Sequence, residues 1–209
     1  MRRKKLVILG FGGHARSVAD VALCAGYDEL LFVDSNVRPE ENFLGHPTQV
    51  STENIDWSQW DVIPAAGDNL RRSQQFRDME ELGVIPVSLV SPHATLGAGS
   101  SLSVGCLVGH HAHIGPMTII GCGCIINTAA VIEHESIVGN FSHISVHATI
   151  AGRSRLGEFS MLGAGATIID GISVTAGVTV GAGGVVNRPI SSPGTYVGVP
   201  VRKIEEASK

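Results

Sequence analysis

An α/β unit followed by a parallel β-helix is the fold class that this sequence predicts. Three observations carry that reading. Aliphatic residues recur with an unbroken six-residue period, glycine is abundant at 26 residues while aromatics make up 5%, and a strand–glycine turn–helix–strand pattern is confined to residues 1–88. Residues 89–209 hold the period and a short tail.

The period runs through Val90, Leu96, Leu102, Val108, Ile114, Ile120, Ile126, Ile132, Val138, Ile144, Ile150, Leu156, Leu162, Ile168, Val174, Val180 and Val186, with no insertion. Two places before most of them stands a small residue, such as Ala94, Cys106, Ala112, Cys124, Ala130 or Ser142, and glycine often follows them. Neither a helix of 3.6 residues per turn nor an alternating strand has this period. A triangular coil does, with six residues per side and one large and one small side chain turned inward. Three sides make an 18-residue coil, so the seventeen aliphatic positions make between five and six coils. At ~4.8 Å per coil they build a prism roughly 25 Å tall. Cys106 and Cys124, 18 apart at the small inward position, are expected to stack as buried thiols rather than to bind metal.

The N-terminal segment has a different pattern. Leu6–Leu9 reads as a buried strand, Gly10-Phe-Gly-Gly-His14 as a tight turn, about Ala15 to Ala25 as a helix, and Leu30–Val33 as a second strand ending at Asp34. A further strand near Asp61–Ala66 leads through Gly67 into a polar helix reaching Leu82, and Val84–Leu89 reads as a last strand. Gly10-x-Gly12-x-x-Ala15 followed by Asp34 has the form of a dinucleotide fingerprint, in which backbone N–H groups approach a phosphate at a helix N-terminus. Only half of a dinucleotide fold fits in this segment. A nucleotide-sugar is therefore preferred to NAD, with a plain structural turn as the remaining reading.

Composition narrows the function class. A net charge of −4 gives no reason to expect nucleic acid or an anionic membrane as partner. The apolar run after the basic opening Met1–Lys5 is too short for a signal-peptide core, and no stretch has the length of a membrane span. Four cysteines without a secretory signal point to a reducing, cytoplasmic setting.

Among nine histidines, His134 stands out because Glu135 follows it and the pair falls at an expected corner of the prism, between inward Ile132 and inward Ser136. Histidine is the natural base near neutral pH, and a neighbouring carboxylate orients it and raises its basicity. His143, one place before inward Ile144, is expected to point outward from a flat side. His110, His111 and His113 form a cluster, and His93 stacks 18 residues below His111. The sequence shows no carboxylate partner for that cluster, so solvent-facing or axial histidines are preferred to a metal site and no metal is expected.

The run Val131-Ile-Glu-His-Glu-Ser-Ile-Val-Gly-Asn-Phe-Ser-His-Ile-Ser-Val146 resembles the active-site segment of UDP-N-acetylbacillosamine-type N-acetyltransferases. These belong to the wider sialic acid O-acetyltransferase (NeuD/PglD-type) family of hexapeptide-repeat acyltransferases. The likeness extends over the Gly-x-Gly-Gly-His opening, Asp34, Gly67-x-Asn69 with Arg72, the prism and the closing Gly198-Val-Pro200. It implies a left-handed prism, a homotrimer with active sites between subunits, and acetyl-CoA as cosubstrate. It implies His134 as general base with Glu135 its partner, and His143, Ala164 and Ala182 as acetyl-CoA contacts. Lys203, beside Arg202, is expected at the CoA phosphates or in a solvated basic tail. Gly12, Gly13, His14, Asp34, Ser35 and Gly67 are implied as the nucleotide-sugar site. The expected activity is N-acetylation of the 4-amino group of a UDP-linked 4-amino-4,6-dideoxy sugar. O-acetylation of sialic acid or another sugar, and a GDP- or dTDP-linked acceptor, are the alternatives.

Overall fold

The computed structural model describes residues 4–38 and 40–204. The first three residues of the basic opening lie outside the described residues. The N-terminal unit is a five-stranded sheet with two helices. Its elements are β1 (Lys5–Leu9), α1 (Gly13–Cys24), β2 (Glu29–Val33), β3 (Asn42–Phe43), β4 (His46–Gln49), β5 (Asp61–Pro64) and α2 (Asn69–Glu81), and the strand order is β3-β4-β2-β1-β5. β1 pairs in parallel with β2 and β5, as a βαβ crossover requires. In α1, Ala15, Val18, Ala19 and Ala22 recur at helical spacing and are all buried. α2 ends in a Schellman motif: Leu82 is its C-cap, Gly83 follows at φ 73, and the Val84 N–H donates to the Met79 carbonyl at 2.9 Å.

Two features differ from the sequence reading. The short β3–β4 hairpin extends the sheet beyond β2 and has too little apolar alternation to be seen as strands. Val84–Leu89 is not one strand: only Leu89–Val90 pairs. Pro86 has no N–H to donate to a ladder, and the segment is anchored to β5 by the Val87 N–H donating to the Val62 carbonyl.

From residue 89 the chain winds as a parallel β-helix of two- or three-residue strands. The first face carries the strands at 89–90, 107–108, 125–126, 143–144, 161–162 and 178–180; the C-terminal strands 194–197 and 202–203 extend it. The second face carries 95–96, 113–114, 131–132, 149–150, 167–168 and 185–186. The third carries 101–102, 119–120, 137–138, 155–156 and 173–174. Partners are 18 residues apart from Leu89 to Val186, for example Ile114 with Ile132 and Ile126 with Ile144, whereas strand 194–197 pairs with 178–180 at a separation of 16. The periodic aliphatics from Val108 onward form one buried core, whereas Leu96 is 47% exposed at the open end of the first coil. A terminal coil has a neighbour on one side only.

The small inward residues do more than save space. Ser136, Ser142, Ser154 and Ser160 are fully buried, and each hydroxyl donates to a corner carbonyl of the next coil at 2.9–3.3 Å. Cys106 and Cys124 stack as expected, their thiols meeting the Gly121 and Gly139 carbonyls at 3.1 and 3.2 Å.

The N-terminal unit sits on the first face. Leu107 and Ile125 point outward there, and both are buried in the same cluster as Leu6, Ile8, Val18 and Ala22. Arg72 of α2 fastens this packing at the corner joining the third and first faces. The side chain is 1% exposed; its Nε donates to the Gly123 carbonyl at 2.7 Å and its Nη2 to the Phe141 carbonyl at 2.9 Å.

Candidate active site

The glycine turn and the start of α2 enclose a cavity of about 240 Å³, whose lining includes Gly12, Gly13, His14, Asp34 and Gly67. Gly12 is the N-cap of α1 and supplies no side-chain cap, so the first N–H groups of the helix stay available to a ligand. Unsatisfied N–H groups and the positive end of the helix dipole together favour an anion, phosphate above all. The Asp34 carboxylate accepts from the Phe11 N–H at 3.0 Å and from the Asn36 N–H at 2.9 Å, strapping the glycine turn to the end of β2. Ser35 is exposed and is not part of the lining. Arg71 lines the cavity too, a cation within the first turn of α2 that the sequence reading passed over. The adjacent Arg71-Arg72 pair was its signal: one arginine faces the cavity while the other is buried.

His14 continues from this cavity to the prism. Its ring lies 5.9 Å from that of His143, which projects outward from the first face as expected but is 8% exposed, because the N-terminal unit covers it. Burial lowers both imidazoles to about 4; repulsion from His143 and Arg72 adds to the effect on His14, and Arg72 to that on His143. Both are therefore neutral at pH 7. Among the described residues the buried Nδ1 of His143 makes no hydrogen bond of good geometry, the Gly67 backbone offsets only part of the lowering, and Nε2 lies 3.4 Å from the Asn127 amide nitrogen. Asn127 is a second polar residue absent from the sequence reading; it sits where the first face turns toward the second.

The depressed values have a consequence for stability. Between about pH 6.5 and pH 4 the unfolded chain binds protons that the folded chain refuses, so stability is full above pH 6.5 and falls as the pH drops toward 4. At 1.36 kcal/mol per pH unit the loss approaches roughly 3 kcal/mol for one such imidazole. Denaturant midpoints measured from pH 7.5 downward should show the fall, and His143→Gln should flatten it.

His134 and Glu135 occupy the corner between the second and third faces. Glu135 takes the left-handed turn conformation at φ 58, as other non-glycine corner residues such as Phe141 and Arg153 do, and its carboxylate lies 3.2 Å from the His134 Nδ1. The pair is open, with side chains 44% and 59% exposed. Gly152, one coil further, lies under the imidazole: a Cβ there would be 2.5 Å from both Cε1 and Nε2 of His134. The ring is held between Glu135 on one nitrogen and a site that only hydrogen can occupy.

Ala164 and Ala182 stack 18 residues apart at the corner between the first and second faces, both exposed, with the Gly183 N–H donating to the Ala164 carbonyl at 2.8 Å. Lys203 and Arg202 line a separate cavity of about 280 Å³ with Arg188 and Tyr196 at the far end of the prism. Within one chain the nominated residues thus fall into four places. The glycine cavity is lined by His14, whose ring meets His143 on the first face. His134–Glu135 stands at the corner opposite that face, the alanines stand at a third position, and Lys203 lies at the end.

A family model described as the PglD N-terminal domain matches residues 5–79. The whole fold superposes on the acetyltransferase domain of PglB from Neisseria gonorrhoeae FA1090 in complex with acetyl coenzyme A. Identity is 32% over 97% of this chain and 100% of that chain, with a TM-score of 0.91. The chain belongs to the PglD-type acetyltransferases. This acetyltransferase also superposes on a histidine-to-alanine variant of GDP-perosamine N-acetyltransferase from Caulobacter crescentus in complex with CoA and GDP-perosamine. There the identity is 28%, coverage is 97% of each chain, and the TM-score is 0.86. No curated protein matches the chain. Among the described residues, no helix of this PglD-type acetyltransferase is long and apolar enough to cross a membrane.

Proposed function

We propose that this acetyltransferase moves the acetyl group of acetyl-CoA to the 4-amino group of a UDP-linked 4-amino-4,6-dideoxy sugar. The observation that carries the reading is the cavity at the uncapped N-terminus of α1, which suits a nucleotide phosphate and is lined by His14, the neutral neighbour of His143. The likeness to enzymes crystallised with acetyl coenzyme A and with a nucleotide-linked amino sugar supports the same donor and acceptor classes here.

In this reading the acceptor amine attacks the thioester carbonyl and a C–N bond forms. His134 takes the amine proton, with Glu135 stabilising the imidazolium at Nδ1. The tetrahedral intermediate collapses, the C–S bond breaks, and the CoA thiolate receives the proton back from His134. No covalent enzyme intermediate is needed. The exposed backbone at Ala164 and Ala182 would carry the CoA arm, and Lys203 with Arg202 its phosphates.

The prism geometry bears on assembly. The N-terminal unit covers the first face, and His134 stands at the corner opposite it, so the base of one subunit would serve the nucleotide-sugar held by a neighbour. The exposed Met117 and Ile119, one coil below that corner and beside it, are 62% and 50% exposed and suit burial against such a neighbour. A homotrimer closes this arrangement symmetrically.

A thermal-shift panel tests the ligand classes. UDP and CoA should each raise the melting temperature, and NAD should leave it unchanged. Protection by NAD with none by UDP would return the glycine turn to a dinucleotide reading.

A further inference from the structure

The histidine cluster that the reaction does not use has a carboxylate partner after all, supplied from 90 residues away. His110 Nε2 lies 3.0 Å from Asp20 Oδ2 of α1. Cys24 is four residues after Asp20 and so on the same side of that helix. One donor atom from each of Asp20, Cys24 and His110 falls within 4.8 Å of the others. We propose that these three residues form a zinc site that clamps α1 to the prism.

The donor set fits the ion. Zinc accepts thiolate, imidazole and carboxylate together, at about 2.3 Å to sulfur and 2.0–2.2 Å to nitrogen and oxygen. A tetrahedral centre with those bonds separates its donors by roughly 3.3–3.7 Å. The present spacing, within 4.8 Å, therefore needs adjustments of at most about 1.5 Å, which exposed side chains accommodate by rotation. Asp20 and Cys24 are both exposed, which leaves room for a water as fourth ligand.

The histidine is also prepared from behind. Its Nδ1 is 2.7 Å from the hydroxyl of Ser91, which is 1% exposed and accepts from the His93 N–H at 3.0 Å. With metal on Nε2, Nδ1 carries the proton and donates it to Ser91, the outer contact that fixes ring orientation at zinc sites. The thiol proton of Cys24 leaves to solvent on binding. His93 packs against His110 at 5.8 Å between ring centres and limits its rotation.

The position gives the site a purpose. Arg72 fastens the N-terminal unit at the corner between the third and first faces. His110 lies at the other edge of the same face, between the first and second faces. A metal there would hold the second edge, keeping the glycine cavity in register with His143. The proposal does not depend on the identity of the sugar or on His134.

Cobalt(II) is the probe, because a tetrahedral thiolate–cobalt centre has intense visible bands and a sulfur-to-metal charge-transfer band. The reduced full-length protein should retain one cobalt per chain after desalting and show the charge-transfer band. Cys24→Ser should abolish that band and His110→Gln should abolish retention, while His111→Gln and His113→Gln should leave both intact. Zinc at about a hundred times its dissociation constant should raise the melting temperature of the wild type by about 5–10 °C and that of Cys24→Ser by much less. No retained metal in the wild type, a band that survives Cys24→Ser, or retention that depends on His111 or His113 would overturn the site. Circular dichroism of each variant separates lost binding from lost folding.

Discussion

His134→Ala should lower kcat by about 10²–10⁴-fold, the contribution expected of a positioned general base, while acetyl-CoA affinity stays within about twofold of the wild type. The imidazole is held on Nδ1 by Glu135 at 3.2 Å and projects from an open corner, so its removal leaves no cavity in the core. The fold should therefore survive, and the loss should fall on turnover. Gly152→Ala sharpens the test because it keeps the base and displaces it. A methyl 2.5 Å from Cε1 and Nε2 forces the ring away from its place over the next coil. A shift of about an ångström in a reacting group can cost on the order of 10²-fold. Steady-state kinetics with thiol detection would report both. Wild-type turnover in His134→Ala would remove the histidine from the mechanism, and an unaffected Gly152→Ala would show that its orientation does not matter.

The second large effect concerns Arg72. Its guanidinium donates to the carbonyls of Ala66, Gly67, Gly123 and Phe141 and to the Asn69 side chain, at 2.7–3.2 Å. Burial lowers it to about 10, which leaves it charged at neutral pH. Arg72→Met keeps much of the volume and strands buried carbonyls on both sides of the contact. Unsatisfied buried acceptors cost about 1–3 kcal/mol each, and the total after relaxation should be roughly 3–5 kcal/mol. For a chain of this length that corresponds to a drop in melting temperature of about 6–20 °C. Differential scanning calorimetry measures it directly. A change within a degree of the wild type would mean that the hydrogen bonds to Gly123 and Phe141 do not hold the N-terminal unit to the prism.

The prism was legible in the sequence because each coil repeats the same chemical demand. One large and one small inward side chain per six residues leaves a period that no other architecture has. The corner position of His134 followed from counting along that period. The glycine cavity was legible because Gly12, Gly13 and Asp34 act locally, within one βαβ unit. What the sequence hid were pairings across long separations: Asp20 with His110, Arg72 with Gly123 and Phe141, and His14 with His143. Each depends on how two helices lie across the first face. Leu107 and Ile125, apolar, 18 apart and turned outward, were the signal that this face is covered. The same covering explains why His143, correctly placed on a flat side, is buried rather than solvent-facing.

The exposure of Leu96 and the irregular stretch 84–88 have a simpler origin. The first coil has no neighbour beneath it, and a proline interrupts the approach. Neither affects the site.

A thiol-release assay with acetyl-CoA against UDP-, GDP- and dTDP-linked 4-amino sugars and free sialic acid tests the acceptor directly. CoA should be released with the nucleotide-linked amino sugars, fastest with UDP, and not with sialic acid. Release with sialic acid alone would contradict an amino-sugar acceptor.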